Sequence, residues 1–289
     1  MTATIDRPDD TEAASQTRSY RYPGSPPFRD QEVDRLLFKG RDHESRTVLH
    51  SILSSELFLL YAVSGLGKSS LLNAGVMQEL RDRGYWPVSV RLNDPRVPPA
   101  AAIESQIIDA ASKDPAIDLD RTPGYVPDPD HTAHLWDVLG SIEVWRGNSL
   151  EHLGVVLDQF EELFTLEWPD EVRRRFIAEF GEVVRHSRAE ADPDQGIDVD
   201  DHTGNGTAPD GHATLVPPPA VKFVLVVRED ALGELEALSE DVPQVLQHRF
   251  RLGPLDPDQA LAAIREPALV ADEHLVTQRF AYSEEAAQQ

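Results

Sequence analysis

Leu57-Phe-Leu-Leu-Tyr-Ala-Val-Ser-Gly-Leu-Gly-Lys-Ser-Ser-Leu-Leu72 decides the fold. The run from Leu57 to Ala62 is strand-like in length and mostly apolar. It enters a turn carrying Gly65 and Gly67, and Gly67-Lys68-Ser69 opens a helix-like segment. Strand, glycine-bearing loop and helix together are the context of a phosphate-binding P-loop. Glycines let the backbone curl so that successive N–H groups face an anion. The helix that follows offers its positive end to the same anion. Lys68 is placed to reach β- and γ-phosphates, and the Ser69 hydroxyl to ligate Mg²⁺. The pattern G-x-x-x-x-G-K-[ST] asks for glycine at position 62, where this chain has Ala62, so a slightly reshaped loop is expected. Lysine is scarce: Lys39, Lys68, Lys113 and Lys222 stand against 23 arginines. A lysine at the one position the loop demands marks a nucleotide site rather than a chance turn.

Composition sets the bounds. At 289 residues and 40% apolar content the chain can bury a sizeable core in one large domain, or in one domain plus part of a second. It has no cysteine, which excludes disulfides and thiolate metal sites and fits a reducing cytoplasm. No apolar run approaches a membrane span and no signal peptide is present. The net charge of −24 opposes nonspecific binding of this segment to nucleic acid or anionic membranes. Arg173-Arg174-Arg175 reads as a solvated helix face.

Residues 1–19 read as a disordered tail, 20–253 as the α/β domain and 254–289 as the start of a helical lid. Helices are expected at about 42–54, from the P-loop to about Arg83 with Gly84 as C-cap, at 100–112, at 133–146 and at 170–187. Strands are expected at 57–62, 87–92, 153–157, 222–227 and 248–252. Residues 114–132 read as a loop, and the acidic 189–220 as a flexible insertion whose aspartates lack the spacing of a calcium loop. His131 and His134 have no third partner for a metal site. Trp136, Trp145 and Phe176 are expected in the core. Five short strands alternating with helices imply a parallel α/β sheet.

The strand over 153–157 ends in Asp158-Gln159-Phe160-Glu161-Glu162, about 90 residues after Lys68. An aspartate at that end of a buried strand is where P-loop enzymes hold Mg²⁺, and a second carboxylate nearby can activate water. Ser69 and Asp158 are thus the candidate metal ligands, with Glu161 or Glu162 as base.

With this cluster the chain resembles the STAND class of signalling NTPases, in the bacterial branch that carries Asp-Gln-Phe-Glu-Glu. Tyr22-Pro23-Gly24 with Pro27-Phe28 is similar to that family's lead-in, and Phe38-Lys39-Gly40-Arg41-Asp42-His43-Glu44 to the element beside its adenine. Ser64 to Leu71, including Ser70, with Ala74-Gly75, resembles its P-loop and first helix. Val226-Val227-Arg228 resembles its sensor strand, and Leu252-Gly253-Pro254-Leu255 with Ala263 to Ala268 resembles the start of its lid.

The resemblance implies a sheet in the order 5-1-4-3-2 and an ATP site built on Gly65, Gly67, Lys68, Ser69, Ser70, Gly40 and Arg41. It implies that Asp158 serves Mg²⁺, Glu161 the attacking water, with Glu162 as the alternative, and Arg228 the γ-phosphate. Gln159, where a base often follows the aspartate, points to a slow, switch-like ATPase. The chain stops at Gln289 inside the lid-like region, so a fragment or split component is expected, with protein partners or lid, winged-helix and sensor segments beyond it. Signalling or defence against phage is the implied role. The alternative is an interaction module that holds nucleotide without turning it over. A DNA-acting motor is disfavoured by charge, and a GTPase by the lack of Asn-Lys-x-Asp. A small-molecule kinase fits the acidic cluster less well.

Overall fold

Leu57–Ala62 (β1) is an inner strand of the sheet, and almost every one of its side chains is buried. Alternate residues of a strand face opposite sides, so a strand covered on both faces must be apolar throughout. Leu57 and Leu59 join one core with Phe223, Val155 and Phe180, while Phe58 and Leu60 join a second with Val48, Ile52, Leu71 and Val76. The computed structural model describes residues 19–121, 133–186 and 219–282. Residues 1–18 of the expected 1–19 tail, most of the 189–220 insertion, His131 and the end of the lid-like region lie outside them, and Ser19 itself is paired with Leu275.

The first helices are Glu32–Leu37 (α1) and Asp42–Leu53 (α2). The P-loop helix starts as Lys68–Ser70 (α3), widens into a π-helical stretch at Leu71–Val76, and ends as Met77–Arg81 (α4). Such a widened turn is rare and often sits at functional sites. Tyr85–Val90 (β2) and Pro99–Lys113 (α5) follow.

The next stretch departs from the sequence reading. Ile117–Arg121 (β3) is a strand, and the expected helix over 133–146 splits into Leu135–Gly140 (α6) and Ile142–Arg146 (β4). Both strands are only five residues long; β3 alternates apolar with charged residues, while Val144-Trp145 interrupts the period of two in β4. His134 is the N-cap of α6: its Nδ1 accepts from the Trp136 N–H at 3.2 Å. Trp136 and Phe176 are buried as expected, but Trp145 lies half-exposed on β4.

Ser149–Asp158 (β5), Glu162–Thr165 (α7), Asp170–Val184 (α8), Val221–Arg228 (β6), Leu232–Glu236 (α9), Arg249–Arg251 (β7) and Pro257–Leu269 (α10) complete the described residues. The parallel strands lie in the order β7-β1-β6-β5-β2, which is the expected 5-1-4-3-2. The correction is an antiparallel extension: β4 pairs with the first residues of β5, and β3 with β4, making the sheet seven-stranded among the described residues.

Register then sets which residues share a rim. Ala62 pairs with Arg228, Asp158 with Val226, and Val90 with Leu157. The C-terminal ends of β1, β6, β5 and β2 therefore meet on one rim, where open α/β sheets bind ligands. Among the described residues no helix is long and apolar enough to cross a membrane.

Candidate functional site

The loop after β1 carries Gly65 and Gly67 at φ of +84° and +90°, conformations costly for residues with a Cβ. Ala62 is not in that region. It closes β1 fully buried, and its carbonyl accepts a hydrogen bond from Lys68 Nζ at 3.3 Å. The reshaping expected at position 62 is therefore not needed, because here that residue is still strand. Burial holds the Lys68 ammonium below its ordinary pKa, assisted by Arg228 and opposed by Glu161 and Asp158.

Ser69 Oγ lies 3.3 and 3.5 Å from the two carboxylate oxygens of Asp158. Neighbouring ligands of an octahedral Mg²⁺ stand about 2.9 Å apart, given metal–oxygen distances near 2.0–2.1 Å. The pair fits that ion with a small adjustment. Among the described residues no three His, Asp or Glu side chains are placed to hold a metal. The remaining ligands would be phosphate and water, as is usual for Mg²⁺.

The acidic segment is split by a single backbone twist. Gln159 has φ of +57°, unusual for a residue with a side chain, and its N–H bonds to Asp158 Oδ1 at 3.1 Å. Phe160 then turns into the core while its N–H reaches Val226 O at 3.0 Å. Glu161 returns to the rim, buried, with Oε2 accepting from the Arg228 N–H at 3.4 Å. Glu162 does not line the cleft. Burial pushes its carboxyl above the usual range, Arg91 opposes that, and Glu161 and Asp158 add to it. One of its oxygens is buried without a hydrogen bond.

Lys68, Ser69, Asp158, Glu161 and Arg228 all line one cleft of about 420 Å³. Arg228, at the end of β6, is half-exposed and held by Asp230 at 3.1 and 2.5 Å. Arg91 lines the same cleft, 3.4 Å from Asp158 Oδ2. Sequence reading passed it over as part of a strand, although its position past the end of β2 was the available signal. Gly24 to Phe28 form the opposite wall.

Ser70 lines the cleft as well, yet its Oγ accepts from the Phe28 N–H at 3.1 Å, and Asn73 donates to Phe28 O at 3.0 Å. Ser70 thus anchors the lead-in. Gly40 and Arg41 lie away from this cleft. Arg41 is buried and donates to Glu44 at 2.8 Å, to Gly253 O at 2.8 Å and to Leu66 O at 3.5 Å. It ties the P-loop to the chain entering α10.

The parallel sheet, the glycine loop opening a helix and the carboxylate on the neighbouring strand define a P-loop nucleotide-binding domain. The chain belongs to the novel STAND NTPase 1 family, whose model matches residues 22–282. No curated protein matches it. Among solved structures it is similar to the ORC2 protein of Aeropyrum pernix in its ADP form, at 16% identity and a TM-score of 0.43, over 78% of this chain and 51% of that one. It is also similar to a Walker-type ATPase of Pyrococcus abyssi, at 16% identity and a TM-score of 0.44, over 82% and 58%. The chain thus spans little more than half the length of either.

Proposed function

We propose that this chain binds ATP with Mg²⁺ at the rim and turns it over slowly, as a switch whose moving part is the lid formed by α10 and the residues after it. The observation that carries the reading is the convergence of Lys68, Ser69, Asp158, Glu161 and Arg228 on one cleft. Lys68 and the loop N–H groups hold the phosphates, Ser69 and Asp158 hold Mg²⁺, and Glu161 orients the attacking water. The backbone N–H of Arg228 engages one Glu161 oxygen, and Gln159 replaces a base next to Asp158. Both favour low turnover. A role in cytoplasmic signalling or phage defence, with protein partners, is supported by family membership.

Thermal melts test the reading. A ligand at ~100 times its Kd adds about 2.7 kcal/mol of stability, so Mg²⁺–ATP should raise the midpoint and GTP should raise it less. Lys68→Ala should lose most of the shift. Equal shifts in both proteins would sink the P-loop assignment. Gln159 also favours a second reading, a module that holds nucleotide and never hydrolyses it; ATP protection with no phosphate release by the wild type would select it.

A further inference from the structure

Arg91 is the first residue past β2, and a side chain holds its backbone. Gln106 of α5 accepts from the Arg91 N–H at 3.0 Å and donates to the Arg91 carbonyl at 2.8 Å, and the same amide nitrogen also reaches Ala102 O at 3.1 Å. One amide thus supplies the pair of bonds a neighbouring strand would give. The Arg91 backbone is fixed, while its side chain is 45% exposed and lines the cleft.

The cations of the cleft are not equivalent. Lys68 is tied to the end of β1, and Arg228 is held in a fork by Asp230. Arg91 instead pairs at 3.4 Å with Asp158, the carboxylate that fits Mg²⁺. A dication bound directly to that carboxylate cancels its attraction for a guanidinium and repels the guanidinium itself. Glu162, on which Arg91 also acts, does not line the cleft, whereas the terminal phosphate of a nucleotide bound there would suit the planar donor fork of arginine.

We propose that Arg91 selects ATP over ADP: it neutralises Asp158 before nucleotide arrives and transfers to the terminal phosphate when Mg²⁺ takes that carboxylate. Gln106 is its positioning residue. The proposal rests on the reading of the cleft as a Mg²⁺–nucleotide site.

Calorimetric titration of Mg²⁺–ATP and Mg²⁺–ADP into the whole chain tests it. Arg91→Ala should weaken ATP about tenfold and ADP less than twofold, the effect of one charge-assisted contact. Arg91→Lys should retain part of the selectivity. Gln106→Ala keeps the guanidinium and loosens its mount, and should weaken ATP about threefold with ADP again spared. Nucleotide-free melts verify folding, and Arg91→Gln replaces any variant that fails them. Wild-type binding with an unchanged ATP:ADP ratio in the Arg91 variants overturns this proposal alone and makes Arg91 a brace for Asp158. Failure of the wild type to bind either nucleotide overturns the reading of the cleft, and this proposal with it.

Discussion

The Asp158 to Glu162 segment places three carboxylates within five residues, and their surroundings give them different work. Asp158 faces Ser69, Glu161 faces the cleft, and Glu162 sits under it with an unpaired oxygen. Glu161→Gln should keep ATP binding and lose hydrolysis, because the phosphate cradle is untouched and a base is removed. Phosphate release on both glutamine variants is the measurement, and loss in Glu162→Gln alone would reverse the roles. Glu162 also has a stability signature. Its carboxyl is raised, so the folded protein holds that proton more tightly than the unfolded chain does. Stability therefore falls as pH rises from the ordinary value of 4.5 through the raised one. Glu162→Gln removes that loss. Its midpoint should exceed the wild type's at pH 7, and the gap should shrink towards pH 4. A gap independent of pH would mean the effect is packing.

At the scale of elements, the least local feature is the connection between α2, the P-loop and α10. Glu44 receives Arg41 at 2.8 Å and Gln259 at 2.9 Å, and Gln259 also completes a capping box with Asp256 at the start of α10. Burial alone would raise the Glu44 carboxyl, but hydrogen bonds from Arg41, its own N–H and Gln259 leave it below the ordinary value. Arg41→Ala strips the charged partner from this buried carboxylate, leaving Gln259, and should cost about 3–5 kcal/mol in denaturant unfolding. Gly40 has φ of +81°, and a Cβ there would stand 2.3 Å from Gln259 O. Gly40→Ala should therefore push α10 away without removing any charge. If Arg41→Ala unfolds at wild-type denaturant concentrations, the buried cluster is not holding these elements.

Much of this layer was legible. β1, α2 and the P-loop helix start where the pattern of apolar residues and glycines places them, because both faces of β1 are buried. The strand ends carrying Asp158 and Arg228 were legible for the same reason. β3 and β4 were not: each is only five residues long and they pair antiparallel at the margin of the sheet. The roles of Gly40 and Arg41 were also hidden, since their partners Gly253 and Gln259 lie more than 200 residues away.

Across the whole molecule the lead-in works as a strap. At one end Ser19 pairs with the chain beside Leu275, through bonds of 2.8 Å to His274 O and 3.1 Å from Val276 N–H. Arg21, only 2% exposed, donates to the carbonyls of Pro267, Val270 at 2.9 Å and Thr277 at 2.8 Å. The Tyr22 hydroxyl reaches Ile264 O at 2.5 Å. At the other end Phe28 is held by Ser70 and Asn73 on the P-loop helix. Between these anchors Gly24 to Phe28 wall the cleft. A ligand that orders this wall acts on a segment whose far end is tied to the C-terminal end of α10, which is a contiguous physical link between the two. Arg21→Ala removes the buried part of the far anchor and leaves Ser19 and Tyr22. It takes a donor from the part-buried Val270 and Thr277 carbonyls, while Pro267 O keeps the Val270 N–H, and should cost about 1–3 kcal/mol. Hydrogen exchange gives the sharper measurement. In the wild type Mg²⁺–ATP should slow exchange in 19–28 and in 264–277 together. In Arg21→Ala it should slow 24–28 and leave 264–277 as it was. Protection of both segments in the variant would show that α10 is reached through Gly253 and Arg41 instead, and the strap would then be a wall and nothing more.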